Sequence, residues 1–297
     1  MTAVKTIKEA VRASINPRLW FYYLIISVLG YLAIQIVFSL TVGVAIGALV
    51  GLVTFQSLQG FQQIMSSPWQ LIALLGVASL VYILFAALIG TVLQGLEFNG
   101  AKLFLSGTIG ITGLLKDSWQ KTRPRIVTAF LLSLLVGMIS LTVVGLLFVP
   151  AIVSGISASS GEFSSIGKTV FWLAAAIIVF LLLAILTAPV LALLSPIVFF
   201  ERLGAIQTIK LAFLFGTKKY LRNLAFMLVF WLVVVMAVIV FLILLAFAIL
   251  SFLIPVIGLV IGIVLAIIAV LYLIAVFFWL LAFQVIAMVK YYEMVRG

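Results

Sequence analysis

Two uncharged apolar runs constrain the fold of this chain more than any other feature. Residues 170–200 and 224–254 contain no Asp, Glu, Lys or Arg, and one short charged segment, 201–223, separates them. Each run exceeds the roughly 20 apolar residues that a helix needs to cross about 30 Å of hydrocarbon. The strands of a membrane barrel would alternate polar and apolar residues, which these runs do not. The pattern predicts an all-α protein that spans a membrane.

Composition extends this prediction to the whole chain. Of its 297 residues, 67% are hydrophobic, and the mean hydropathy is +1.50, whereas a soluble domain is about 45–50% apolar. A water-soluble core could not bury so much apolar surface, so lipid must solvate most of it. We predict a polytopic bundle of six transmembrane helices, at about 19–44, 70–96, 126–152, 169–199, 223–252 and 256–289.

The positions of the basic residues predict the orientation of these spans. Every Lys and Arg except Lys168 lies before the first span, within 97–125 or 201–222, or near the C-terminus. Basic residues accumulate on the cytoplasmic side, so both termini are predicted to be cytoplasmic, in the cell membrane. The formal net charge of +11 is therefore a topology signal. No nucleic acid partner is expected, because the charges adjoin span ends rather than form a separate basic domain.

Short amphipathic segments precede the first, third and fifth spans, at 6–20, 110–126 and 204–221. When their central cations are aligned, apolar residues coincide on one helical face. These are Ile7, Ile111 and Ala205, then Val11, Leu115 and Ile209, then Ile15, Trp119 and Phe213. We predict three cytoplasmic interfacial helices, which either anchor the spans, or dock a protein partner or sense the lipid surface. Their basic residues are expected at lipid headgroups: Arg12, Arg18, Lys116, Lys121, Arg123, Arg125, Lys210, Lys218, Lys219 and Arg222.

An acidic residue follows each even-numbered span: Glu97, Glu201 and Glu293. We interpret this as an acidic turn that closes each of three parallel two-helix repeats, about 1–101, 102–204 and 205–297, in one membrane domain, 1–297. A carboxylate at a helix C-terminus opposes the helix dipole. One hypothesis is that the three carboxylates pair with Arg12, Lys116 and Lys210. The alternative is that they are simply solvated.

Glycine spacing predicts close helix packing in two places. Gly43, Gly47 and Gly51 are four residues apart, as are Gly258 and Gly262, and this spacing lets helix backbones approach one another in lipid. Packing within the chain is predicted, and a homo-oligomer interface is the alternative. The apolar stretch 19–54 would be about 54 Å long as a helix. We therefore expect its glycine part to bend, re-enter or protrude.

No ionisable residue lies in the middle of any predicted span, which argues against proton- or sodium-coupled transport. The polar residues within the spans are Gln35, Ser39, Thr41, Gln94, Ser133, Ser140, Thr142, Thr187, Ser195 and Gln284. Such hydroxyls ordinarily bond a backbone carbonyl one turn away. The alternative interpretation is a polar-lined pathway for a neutral or lipidic solute.

Residues for catalysis are scarce. The chain has no Cys, no His and only six scattered acids, so no nucleophile–base pair, metal site or cofactor is predicted, and no enzyme. No phosphate-binding glycine loop is present, so no nucleotide is expected. The low number of Asn residues (16, 99 and 223) is in keeping with a heat-adapted source.

Three features occur together in this chain. They are the amphipathic segments, the phrase LLFVPAIV (146–153), and SPIVFFERLGAIQTIKLAF (195–213) followed by KKYLRNLAF (218–226). In these features the chain resembles a loose family of prokaryotic, largely archaeal, six-span membrane proteins of unknown function. Related sequences form the membrane region of some glycerophosphodiester phosphodiesterases. The resemblance implies a fold and not an activity, because this chain has no His or acidic cluster for that enzyme's metal.

These features predict a non-enzymatic integral membrane protein that acts through lipid or protein contacts, as a scaffold, membrane organiser or accessory subunit. The partners expected are membrane lipids and a protein at the cytoplasmic face. The competing hypothesis is a permease or channel-like subunit for a lipidic or neutral solute, working with a separately encoded ATPase.

Overall fold

The computed structural model describes residues 2–55, 68–107, 110–159, 163–251 and 257–296, and these residues are helical with no strand. Within them the helices are α1 (Ala3–Ser14), α2 (Pro17–Phe55), α3 (Pro68–Leu105), α4 (Ile111–Thr122), α5 (Ile126–Ser159), α6 (Phe163–Phe200), α7 (Ala205–Thr217), α8 (Tyr220–Ser251) and α9 (Ile257–Arg296), with a 3₁₀ turn at Arg123–Arg125.

Six of these helices are long and apolar enough to cross a membrane: α2, α3, α5, α6, α8 and α9. This confirms the predicted multi-pass helical class and the number of spans. The helices run beyond the predicted spans. Helix α2 continues through Gly43, Gly47 and Gly51 to Phe55, so it is about 58 Å long at 1.5 Å per residue. It therefore exceeds the hydrocarbon thickness, and residues 56–67, which follow it, lie outside the described residues.

Capping side chains and prolines explain where α1 and α2 begin and where α4 ends. Helix α1 starts after Thr2, whose hydroxyl accepts a hydrogen bond from the Lys5 backbone N–H, as an N-cap does. Asn16 then caps α2 by accepting from the Arg18 backbone N–H at 3.0 Å. Pro17 occupies the first position of α2, where its missing N–H costs nothing. Pro124 lies in the 3₁₀ turn that ends α4, since proline disfavours a helical conformation at the residue before it.

No proline follows helix α7, so its end is set by other interactions. Lys219 adopts a left-handed backbone conformation with φ 58°. The side-chain amide of Asn223 then donates to the carbonyls of Phe215, Gly216 and Lys218 at 2.9–3.0 Å. These carbonyls would otherwise be unsatisfied at the helix end. One buried amide on α8 therefore fixes the end of α7.

The long helices form three hairpins, α2–α3, α5–α6 and α8–α9, each with extensive contact between its two members. The second helices of the hairpins, α3, α6 and α9, also contact one another in all three combinations. Each of these contacts the first helix of a neighbouring hairpin as well: α3 meets α5, α6 meets α8, and α9 meets α2. The contacts thus run in a closed ring around α3, α6 and α9.

The short helices follow the same order. Helix α4 packs on α3, α7 packs on α6, and α1 packs on α9. The last contact joins the two ends of the chain, with the Thr6 hydroxyl 3.5 Å from the Met294 sulfur. We call the end of the bundle that carries α1, α4 and α7 the short-helix end, and the opposite end the far end.

Apart from Ile7 and Leu114, small residues form the buried face of each short helix. They lie four residues apart, as helix-packing small residues do in membranes, and they are Thr6, Ala10 and Ser14 in α1, Ser118 and Thr122 in α4, and Thr208, Ala212 and Gly216 in α7. The predicted apolar faces are only partly packed. Ile7 is buried, but Ile15, Trp119 and Phe213 are exposed, so they face outward beside the packed stripe.

The core of the bundle lies at the short-helix end. Its largest fully buried side chains come from the adjoining ends of the long helices and include Tyr22, Tyr23, Phe226, Phe283, Tyr291 and Tyr292. Towards the far end the described side chains are mostly exposed, and isolated residues such as Ala151, Ala176, Ala248 and Ala269 are buried. The hairpins are therefore tied to one another chiefly at one end.

Candidate functional site

Polar residues of different helices meet at a partly open cavity between the helices of the bundle. It has a volume of about 360 Å³ and lies between α3, α6, α8 and α9. Gln94, Ser195 and Gln284 supply its polar lining. The rest is apolar and includes Met227, Phe230, Trp231 and Met288. All these residues belong to candidate spans. The cavity thus places hydrogen-bonding side chains next to an apolar wall within the membrane-spanning part of the protein.

A second cavity of about 360 Å³ lies beside the first, between α3, α5 and α6. Gln94 and Ser195 line this cavity too, now together with Ser133. Two cavities therefore share the same pair of polar side chains. We call them together the Gln94–Ser195 cavities.

Two interpretations were given for the intramembrane polar residues: a bond to a backbone carbonyl one turn away, or a place in a polar-lined pathway. The structure assigns different residues to each. Thr41, Thr142 and Thr187 each donate to the carbonyl four residues earlier, at 2.8, 2.9 and 2.7 Å, as the ordinary interpretation predicts. Ser133 and Ser195 make no such bond to a described residue, and they line the cavities instead. Gln94 and Gln284 also line a cavity. The other three, Gln35, Ser39 and Ser140, are exposed and line neither cavity.

A cavity of about 310 Å³ between α2 and α3 is of a different kind. Its lining is apolar except for Thr41, whose hydroxyl donates to the Val37 carbonyl. This surface offers a ligand no free polar group, so its expected occupant is an acyl chain of the bilayer.

An aromatic cluster borders the first of the Gln94–Ser195 cavities towards the short-helix end. Phe98 of α3 lines the first cavity, and its ring centroid lies 6.4 Å from that of Phe199 and 6.3 Å from that of Phe200. Phe200 in turn lies 5.4 Å from Tyr292 of α9. The three central helices α3, α6 and α9 thus each contribute a ring to this cluster.

A basic pocket lies on the other side of the aromatic cluster. It has a volume of about 340 Å³, and Phe199 and Phe200 form part of its wall. The rest of the lining is polar or basic, with Pro124: Asn99, Lys102, Gln120, Lys121, Arg125 and Arg202. Asn99 is buried and donates to the Thr122 hydroxyl at 3.0 Å, which fixes α4 against α3.

The predicted headgroup cations are placed in three ways. Lys121 and Arg125 line the basic pocket. Arg222 is half-buried, and its guanidinium donates to the Met294 carbonyl at 3.4 Å, so it ties α8 to α9. The others are exposed at the short-helix end: Arg12, Arg18, Lys116, Arg123, Lys210, Lys218 and Lys219.

Glu97, Glu201 and Glu293 were predicted to lie in turns after the even-numbered spans, and only Glu201 does so. Glu201 follows the end of α6, but Glu97 and Glu293 lie inside α3 and α9, because both helices continue past the predicted span ends. The predicted pairing with Arg12, Lys116 and Lys210 is not formed among the described residues. Glu201 instead pairs with Arg296 at 3.4 Å and accepts a hydrogen bond from Tyr292, and Glu293 pairs with Lys290 at 3.2 Å.

The predicted glycine packing within the chain is not formed at Gly43 and Gly47 among the described residues. A Cβ added to either would meet no described atom within 4 Å. The surroundings of Gly51 and Gly258 lie outside what the structure describes, and Gly262 is buried. Close approach occurs elsewhere, at Gly95 beside Thr122 and Phe199, at Gly100 beside Tyr22, and at Gly216 beside Val190.

Sequence reasoning missed part of the site. Lys102 and Arg202 line the basic pocket with Lys121 and Arg125, although neither was assigned a role. Their position in the sequence could have indicated this role, because Lys102 lies five residues after Glu97 and Arg202 directly follows Glu201. Their convergence with α4 depends on how α4 packs on α3, which no local pattern encodes.

Comparison with known protein families, with curated proteins and with solved structures finds no match to this chain. The resemblance to prokaryotic six-span membrane proteins therefore stays a prediction, and the fold and cavities described above are the basis for a functional proposal.

Proposed function

We propose that this chain is a non-enzymatic integral membrane protein that acts through lipid contacts and holds the polar part of a lipid or neutral amphiphile between its hairpins. The observation that carries this proposal is the pair Gln94 and Ser195, which lines two cavities within candidate spans. Polar groups that lose water without gaining a partner are costly. A ligand that supplies those hydrogen bonds would be retained.

The apolar lining of the first cavity suits the rest of such a ligand. Met227 and Met288 flank the polar residues, with Phe230 and Trp231 on α8. Methionine is flexible and polarisable, so it adapts to chains of varying shape. In this role the protein would serve as a scaffold, membrane organiser or accessory subunit whose working surface is lipid.

The contact pattern also supports the finer architecture that we propose. The closed ring of contacts around α3, α6 and α9 is what three parallel repeats about a central axis would give. In the alignment of Arg12, Lys116 and Lys210, the buried small residues coincide too: Ser14 with Ser118 and Ala212. With the basic residues concentrated at the short-helix end, that end is proposed to be cytoplasmic.

Photolabelling tests the proposed ligand site. Purified protein in nanodiscs would be exposed to phosphatidylcholine carrying a diazirine in its acyl chain, and labelled peptides would be mapped. We expect labelling of Met227 and Met288, and several-fold less of it in Ser195→Phe, because the new ring fills the cavities. Ser140→Phe, on the exposed face of α5, is the matched control. Equal labelling of the two variants at these methionines would contradict the proposal.

A permease for the same class of solute is the second candidate. It is favoured by the order in which the features follow one another: the membrane cavities, then the aromatic cluster, then the basic pocket. Phe98 of the cluster lines the first cavity, and Phe199 and Phe200 line the basic pocket. An aromatic cluster between two cavities of similar volume is the arrangement that a closed pathway would have.

A lipid-scrambling assay separates the two candidates. Proteoliposomes with fluorescent phosphatidylcholine would be treated with dithionite, which quenches only the outer leaflet. A permease would quench faster than protein-free vesicles, and Phe98→Ala would raise the rate several-fold by opening the cluster, whereas the exposed Phe85→Ala would not. Rates equal to those of protein-free vesicles would dismiss the permease and leave the lipid-holding proposal standing.

A further inference from the structure

Four cationic side chains converge on the basic pocket from separate parts of the chain. Lys102 comes from α3, Lys121 from α4, Arg125 from the 3₁₀ turn and Arg202 from the segment after α6. Among the residues that the structure describes, no Asp or Glu lines the pocket. Cations gathered in a concave site attract anions more strongly than the same cations spread over a surface.

Two nearby carboxylates, Glu201 and Glu293, are already engaged. Glu201, next to Arg202, is held by Arg296 and Tyr292 on α9, and Glu293 is held by Lys290. Neither carboxylate lines the pocket. The positive charge of the pocket is therefore not neutralised by its own lining.

The pocket also positions its groups. The Lys102 ammonium lies over the Phe200 ring, 4.2 Å from the centroid, which is a favourable cation–π geometry. Buried Asn99 fixes α4, which carries Lys121, against α3. Arg125 and Arg202 present guanidinium groups, which bind phosphate oxygens in pairs.

We propose that this pocket binds a phosphate group. Two sources share that chemistry: the headgroup of an anionic phospholipid and a free phosphate compound. The pocket lies at the ends of α3 and α6, beyond the aromatic cluster, so it does not depend on what occupies the Gln94–Ser195 cavities. Failure of either proposal would leave the other unaffected.

The test uses the full chain in nanodiscs. One arm adds inorganic phosphate to phosphatidylcholine nanodiscs, with chloride at matched ionic strength, and measures the shift in Tm. The other arm includes phosphatidylglycerol and counts the lipid that copurifies by mass spectrometry. The variant is Lys121→Gln with Arg202→Gln. The control is Lys116→Gln with Lys210→Gln, which removes the same charge from exposed positions outside the pocket.

We expect the pocket variant to bind the anion about tenfold more weakly, since each lost contact is a charge-assisted hydrogen bond, and the control to bind as the wild type does. Retention of phosphatidylglycerol that only the pocket variant loses identifies a lipid headgroup. Stabilisation by phosphate alone, lost in the same variant, identifies a free phosphate compound. Equal effects in both variants, or no binding in either arm, would overturn the proposal. The four substituted side chains, those of Lys116, Lys121, Arg202 and Lys210, are exposed, so folding is expected to survive, and the Tm without anion checks this.

Discussion

The two ends of this bundle are built from similarly apolar helices but are packed differently. At the short-helix end, rings and hydroxyls from different hairpins interlock, as where Tyr291 of α9 donates to the Pro189 carbonyl of α6 at 3.2 Å. At the far end, side chains such as Val44, Leu141 and Phe247 are exposed. Lipid is as apolar as these side chains, so burial alone does not drive helices together in a membrane. Packing therefore requires close steric fit and polar contacts, which this chain concentrates at one end.

The largest expected effect comes from the amide that ends α7. Asn223→Ala would leave the carbonyls of Phe215, Gly216 and Lys218 without their donor, at a cost of about 3 kcal/mol in the free energy of unfolding. Thermal unfolding in detergent would measure it. Gln35→Ala, at an exposed position on α2, is the far-end control. A Tm for Asn223→Ala as high as that of Gln35→Ala would show that the amide does not hold this end together.

A pair of glycine substitutions tests the comparison most directly. In Gly216→Ala the new Cβ would lie 2.9 Å from the Val190 Cα, so α7 must move off α6, at a cost of about 2 kcal/mol. In Gly43→Ala the new methyl would meet nothing within 4 Å. There the higher helix propensity of Ala would leave stability equal or slightly raised.

Chemical unfolding of both variants in the same detergent would give the two values. If Gly43→Ala were the more destabilising of the pair, the far end would be closely packed in solution, for example by a second copy of the chain. The predicted glycine interface would then be intermolecular.

A smaller effect is expected from single hydroxyl groups. Tyr22→Phe removes the donor to the Leu96 carbonyl and the contact with the Ser118 hydroxyl at 3.0 Å, worth about 1 kcal/mol. Tyr31→Phe is the matched control, because Tyr31 is nine residues further along α2 and is 63% exposed. Differential unfolding of the pair checks the prediction, and equal loss in both would contradict it.

The smallest expected effect has the opposite sign. Lys219 has φ 58°, a conformation that costs a non-glycine residue roughly 1 kcal/mol. Lys219→Gly relieves this cost but gives the unfolded chain more freedom, so we expect a net gain of a few tenths of a kcal/mol. The neighbouring exposed Lys218→Gly, with φ −63°, should show no gain. A loss of stability in Lys219→Gly would mean that the lysine side chain makes a contact that matters.

Part of the site could be read from the sequence. Gln94, Ser133, Ser195 and Gln284 stood out as polar residues in apolar spans, and the structure brings all four to the Gln94–Ser195 cavities. Their meeting could not be foreseen, because it depends on which faces of α3, α5, α6 and α9 turn towards one another. In a uniformly apolar helix, no periodic pattern marks the inner face.

The sequence by itself determined the class of this protein. It has six long apolar helices, a short helix before the first, third and fifth of them, and basic residues at one end. These properties depend on local composition, since a bilayer demands apolar length and satisfied backbone hydrogen bonds. Only the tertiary structure decided that Gly95, Gly100 and Gly216 are the close contacts while Gly43 and Gly47 are open. It also decided that Lys102 and Arg202 join Lys121 and Arg125 in one pocket. Both depend on steric fit between distant segments, which lipid does not impose and composition does not record.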